Sequence, residues 1–139
     1  MYFQRGKLSE EQVRLIVRNL PCDVSFADEN DVLRYWSGPT YKTCDARYIG
    51  RDVRDCHPKS SLDTLERILA EFKAGTRETA DGWHEEDGRF RFTRYTALRD
   101  DQGVYKGILE VNMDLTDLRA LEGEQAIPGW DPFPAELSS

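Results

Sequence analysis

Apolar and polar residues alternate most cleanly near the C-terminal third of the chain. Tyr105, Gly107, Leu109, Val111, Met113 and Leu115 share one parity, while Lys106, Glu110, Asn112 and Asp114 share the other. That is the period of a half-buried antiparallel strand. Two turn signals, Asp87-Gly88 and Asp100-Asp101-Gln102-Gly103, divide residues 83–116 into three consecutive strands, because Gly tolerates positive φ and Asp bonds the local backbone. On the middle strand Phe90, Phe92 and Leu98 fall on one face with Arg94 and Thr96 among them; Tyr95 and Ala97 fall on the other. One face of such a sheet must be covered.

Two segments carry a helical period instead. Over Leu8–Leu20 a capping box, Ser9 with Gln12, precedes the stripe Val13, Ile16, Val17 and Leu20, and Pro21 stops it. From Ser60 or Ser61 to Ala74, Leu62, Leu65, Ile68, Leu69 and Phe72 form one face and Gly75 closes the helix, which predicts the element lying across the sheet. Between them come two short strands, 23–28 and 31–37, split at Glu29-Asn30, then an irregular stretch in which Tyr41, Cys44 and Tyr48 could line a pocket but read first as ordinary half-buried residues. A short helix over 49–57 is expected, ended by Pro58. A strand over 76–86 follows, with Gly82 hinting at a bulge. A short helix over 116–125 precedes a Pro-rich stretch, 128–134, that fits no regular element.

The chain therefore divides into residues 1–7, whose Met1-Tyr2-Phe3-Gln4 reads as the remnant of a protease-site tag, a helix at 8–20, one domain at 21–122, and a tail at 123–139. With 139 residues, one modest core is available. A net charge of −7, with 19 basic and 26 acidic residues, disfavours nucleic-acid binding. No apolar run reaches the length of a membrane span. Three cysteines, Cys22, Cys44 and Cys56, are too few and odd in number for a disulfide scaffold, so a reducing cytoplasm is the default. Neither a nucleophile elbow nor a phosphate loop is present, and an enzyme is not expected.

The order of elements and several landmarks together resemble a PAS domain. The landmarks are Asp28-Glu29-Asn30, Tyr48-Ile49-Gly50-Arg51, His57-Pro58, Asp87-Gly88-Arg89, Gly103 and Asp114-Leu115-Thr116. More narrowly, Cys56-His57-Pro58-Lys59-Ser60 with Ile68-Leu69, Phe72-Lys73 and Arg94-Tyr95 resembles the PAS module found C-terminal to hemerythrin-like domains. The resemblance implies an α+β fold, a five-stranded antiparallel sheet covered on one face by short helices and flanked by the N-terminal helix. It also implies a cytoplasmic sensory module with a cavity between the long helix and the sheet. Phe26, Trp36, Leu65, Leu69, Phe92, Tyr95, Leu109 and Val111 are the expected lining, with Cys56, His57 and Arg94 as polar candidates for a small or hydrophobic ligand.

Three chemistries compete there. Flavin cysteinyl-adduct formation is disfavoured, because Val53 stands where the resemblance would require the thiol. Haem is the sharper alternative, with His57 or Cys56 as axial ligand and Arg94 as propionate partner; a turn-capping role for His57 outweighs it, and His84 is a weaker second ligand. A zinc site lacks paired ligand spacing, and Cys56 reads as a buried thiol before a redox one. The second hypothesis is a cofactor-free module that homodimerises through Val13, Ile16, Val17 and Leu20 and contacts an unidentified effector protein or domain.

Overall fold

A computed structural model describes residues 2–3, 5–37 and 46–127. A two-strand turn, β1 (Tyr2–Phe3) with β2 (Gly6–Lys7), leads into helix α1 (Glu10–Arg18). Strands β3 (Asp23–Asp28) and β4 (Leu33–Trp36) come next, then 3₁₀ turns at Ala46–Tyr48 and Val53–Cys56 and the long helix α2 (Lys59–Ala74). Strands β5 (Thr79–Glu86), β6 (Arg89–Arg99) and β7 (Tyr105–Asp114) follow, and α3 (Thr116–Arg119) ends the regular structure. The five long strands form one antiparallel sheet in the order β4-β3-β7-β6-β5. This is the α+β architecture expected from the sequence.

Helix α2 roofs the sheet because its apolar residues recur at helical spacing. Leu65, Ile68, Leu69 and Phe72 are buried, Leu69 and Phe72 to 1% and 0% exposure. Each such side chain removed from water contributes about 1.5–3 kcal/mol. The helix ends at Gly75, whose φ of 77° is left-handed. Arg99 Nη2 then donates to the Phe72 carbonyl at 2.6 Å, so a cation from β6 meets the negative end of the helix. Ala27, Leu33, Val53, Ala97 and Ile108 complete the core beneath.

Strand register shows which side of the sheet the roof covers. Ala27 pairs with Ile108 and Ile108 with Ala97; Ser25 pairs with Glu110 and Glu110 with Tyr95; Asn112 pairs with Thr93. These residues share the face beneath α2. The opposite parity carries Val24, Phe26, Phe92, Arg94, Leu109, Val111 and Met113. The parity expected to be covered is thus turned away from the helix. The inner parity reads as polar in the sequence because it carries Glu110 and Asn112, which in the structure bond each other beneath the helix.

Other expectations shift by a few residues. Among residues 49–57 only a 3₁₀ turn forms, the strand expected from 76 begins at Thr79, and the helix expected to 125 stops at Arg119. Gly82 marks no bulge: the β5–β6 register runs unbroken, and irregularities fall at Phe26/Ala27 and Leu98/Arg99. Tyr41, Cys44 and the stretch 128–134 lie outside the described residues.

Candidate functional site

Beneath α2 the sheet presents a carboxylate. Register places Glu110 between Ser25 on β3 and Tyr95 on β6. Its Oε1 accepts from Tyr95 Oη and Asn112 Nδ2, each at 3.2 Å, and its Oε2 accepts from Ser25 Oγ at 3.3 Å. Thr93 Oγ1 extends the chain by donating to Asn112 Oδ1 at 2.6 Å. All these donors are neutral, and no cation pairs with Glu110 among the described residues. Burial, then the neighbouring Glu110 charge, pushes the Tyr95 hydroxyl well above the ordinary phenol range, so it stays a donor.

The roof over this patch comes from Val53, Cys56, His57 and Leu65, enclosing with Ser25, Tyr95, Ile108 and Glu110 a cavity of about 20 Å³. That is room for a water molecule. The His57 ring is held by its Nδ1, 2.8 Å from the Val53 carbonyl; a proton on Nδ1 would leave Nε2 as an acceptor. The turn carrying His57 is fixed by Asp52, whose side chain accepts from Arg54 N. It is also fixed by Arg54, whose Nη1 donates to buried Asp31 at 3.0 Å. Cys56 is disulfide-bonded, where the sequence favoured a buried thiol.

A wider groove of about 300 Å³ opens beside this cavity, between α2 and β5. Thr64 and Ile68 form its roof; Ala80, Gly82, Thr93 and Tyr95 form its floor. Tyr95 lines both spaces and is the wall between them.

Of the residues expected from sequence, Cys56, His57, Leu65 and Tyr95 meet at the enclosed cavity, and Leu69 lies in the adjoining core. Trp36 shares the face of its partner Ser25 without lining the cavity. Phe26, Phe92, Arg94, Leu109 and Val111 are corrected to the far face, for the reason of register given above. Arg94 there is held bidentately by Asp81 at 2.7 and 2.9 Å. His84 is exposed on β5, 3.7 Å from Glu86. Sequence reasoning missed Ser25 and Glu110, since a carboxylate in an alternating strand reads as solvent-facing. Among the described residues no cluster of three or more His, Cys, Asp or Glu is placed to hold a metal, and no helix is long and apolar enough to cross a membrane.

Known structures share this architecture. A C-terminal domain from Streptococcus mutans is 29% identical with a TM-score of 0.81, over 88% of this chain and 96% of that one. A sensory box sensor histidine kinase from Vibrio cholerae aligns at 11% identity and TM-score 0.52, over 73% and 87%. A phage VqmA–DPO complex aligns at 18% identity and TM-score 0.56, over 78% of this chain and 54% of that one, so the chain spans about half of that protein. No curated protein matches the sequence. A family model described as a PAS domain matches residues 13–116, and the chain belongs to the PAS domain family.

Proposed function

We propose that this chain is a sensory PAS module whose ligand is small, carries a hydrogen-bond donor, and is recognised by Glu110 beneath α2, the roof of Val53, His57 and Leu65 shifting to widen the water-sized cavity of about 20 Å³ on binding. The observation that carries the reading is a half-buried carboxylate supported only by neutral donors, at a cavity roofed by the long helix. A donor on the ligand would add a charge-assisted bond to the three neutral ones that Glu110 already accepts, and such bonds are the strong ones. Members of the fold family serve in sensor kinases and ligand-bound regulators, as the histidine kinase and the VqmA–DPO complex illustrate. They act as sensory or interaction modules rather than enzymes, and the site offers a recognition surface without a nucleophile–base pair. The Cys56-His57-Pro58-Lys59-Ser60 segment supports the narrower resemblance to modules that accompany hemerythrin-like domains.

A haem does not fit the residues present. The enclosed space of about 20 Å³ is far below the roughly 300–1,000 Å³ of ligand sites. Arg94, the expected propionate partner, faces away from the cavity in a pair with Asp81.

The small cavity also favours a second reading, a cofactor-free interaction module with a filled core. Helix α1 supports it, since none of its residues is buried despite a marked apolar stripe. The two readings separate in an amide-resolved NMR titration of the protein with imidazole, 2-aminopyridine and DPO. A ligand module shows shifts at Ser25, Tyr95, Ile108 and Glu110 with at least one probe, and these shifts are lost in Glu110→Gln. If no probe moves those amides, the ligand reading fails and the interaction module stands.

A further inference from the structure

The groove between α2 and β5 is separate from the cavity beneath His57, and its chemistry differs. Its floor is open because two small residues of the inner face lie there: Ala80 pairs with Tyr95 and Gly82 with Thr93. A Cβ built on Gly82 meets nothing within 4 Å. Ile68 supplies an apolar roof. At the rim, Arg67 Nε and Arg77 Nε approach the same oxygen of Glu71, at 3.6 and 3.0 Å. One carboxylate is shared by two guanidinium groups, and the other acid on the rim, Asp81, is satisfied by Arg94. The rim therefore holds a cationic excess in a chain whose net charge is −7.

We propose that this groove binds a small amphipathic anion, an aromatic or branched carboxylate. Its acid group meets Arg67 and Arg77, and its apolar body covers Ile68, Ala80 and Gly82. A guanidinium pairs a carboxylate through parallel N–H donors, which orients the ligand as well as attracting it. The volume of about 300 Å³ suits a fragment-sized molecule. Occupancy would be felt beyond the groove, because Tyr95 and Thr93 on its floor are hydrogen-bonded into the Glu110–Asn112 network.

The test compares two probes of similar shape and opposite charge, indole-3-acetate and tryptamine, by amide-resolved NMR at low salt. Indole-3-acetate is expected to shift Ile68, Ala80, Gly82 and Thr93, with tryptamine at least about tenfold weaker, the order of one well-placed ionic contact. Gly82→Leu, which fills the groove on an edge strand without a backbone conflict, abolishes the shifts while keeping a dispersed spectrum. Arg67→Ala with Arg77→Ala removes the preference between probes. Equal binding of the two probes by the wild type, binding retained in Gly82→Leu, or no shift with indole-3-acetate overturns the proposal. Shifts at Ser25 and Ile108 instead would report the enclosed cavity.

Discussion

The ring of Phe26 lies over Gly107. A Cβ added to Gly107 would stand 2.5 Å from Phe26 Cε2 and closer still to the Ala27 carbonyl oxygen. The backbone there has a φ of 149°, a region L-residues rarely adopt. Glycine is thus required twice, for backbone shape and for space. Gly107→Ala is expected to destabilise the fold by at least about 2 kcal/mol, combining overpacking with backbone strain. Urea unfolding measures it, and Phe26→Ala in the same chain should recover part of the loss by freeing the space.

Asp31 joins three elements at one point. It is 5% exposed with a φ of 64°, and its Oδ2 accepts from Lys73 Nζ at 2.7 Å and Arg54 Nη1 at 3.0 Å. Removing the carboxylate takes away the anion that joins Lys73 to Arg54, while Arg54 keeps Asp52 and Glu66. Breaking a buried pair costs about 3–5 kcal/mol, and the partial exposure of Arg54 and Lys73 lowers the figure here to roughly 2–3 kcal/mol. Asn tolerates the left-handed backbone and Ala does not, so Asp31→Asn should be less harmful than Asp31→Ala. Equal losses in thermal unfolding would contradict the backbone part of this account.

Much of this architecture is legible in the sequence, and the failures share one cause. Ser9 with Gln12 forms the capping box at α1, and Gly75 ends α2 where the apolar spacing stops. Asp87 and Gly88 make the turn with positive φ at both positions. Alternation on β7 defines two faces without saying which is roofed. Phe26, Leu109 and Val111 are more apolar than Ser25 and Glu110, yet α2 covers the latter set. The inner face tolerates a carboxylate because Tyr95, Ser25 and Asn112 all donate to it, a satisfaction that only tertiary pairing provides. Helix α3 stops at Arg119, and Leu118 and Leu121, read from the sequence as continuing its apolar side, stay exposed.

Alkaline pH should unfold the protein through its inner tyrosines. Burial, with Asp31 nearby, pushes the Tyr105 hydroxyl up to about 12, and Tyr95 is raised further. A raised folded-state value means the neutral phenol is favoured on folding. The stabilisation is full below about pH 10, the unfolded value, and is lost as pH rises through the folded value. Tyr105→Phe should flatten the decline in unfolding free energy between about pH 10 and 12. Tyr95→Phe should flatten it too, while costing about 1 kcal/mol at neutral pH for the lost bond to Glu110.

Among the described residues the apolar stripe of α1 is only partly covered. Val13 and Val17 are half-buried, but Ile16 is 49% and Leu20 43% exposed, and the helix nevertheless carries a complete capping box. A helix this short gains its stability from packing rather than propensity, and we propose a second copy of the same stripe as its partner. The wild type is then expected to sediment as a dimer and Ile16→Glu with Leu20→Glu as a monomer, with unchanged thermal unfolding of the sheet and α2. Ser9→Ala, which touches no contact surface, should also weaken the dimer, because losing the cap costs about 1 kcal/mol of helix in each copy. A wild type that sediments as a monomer at every concentration would remove α1 as the assembly element.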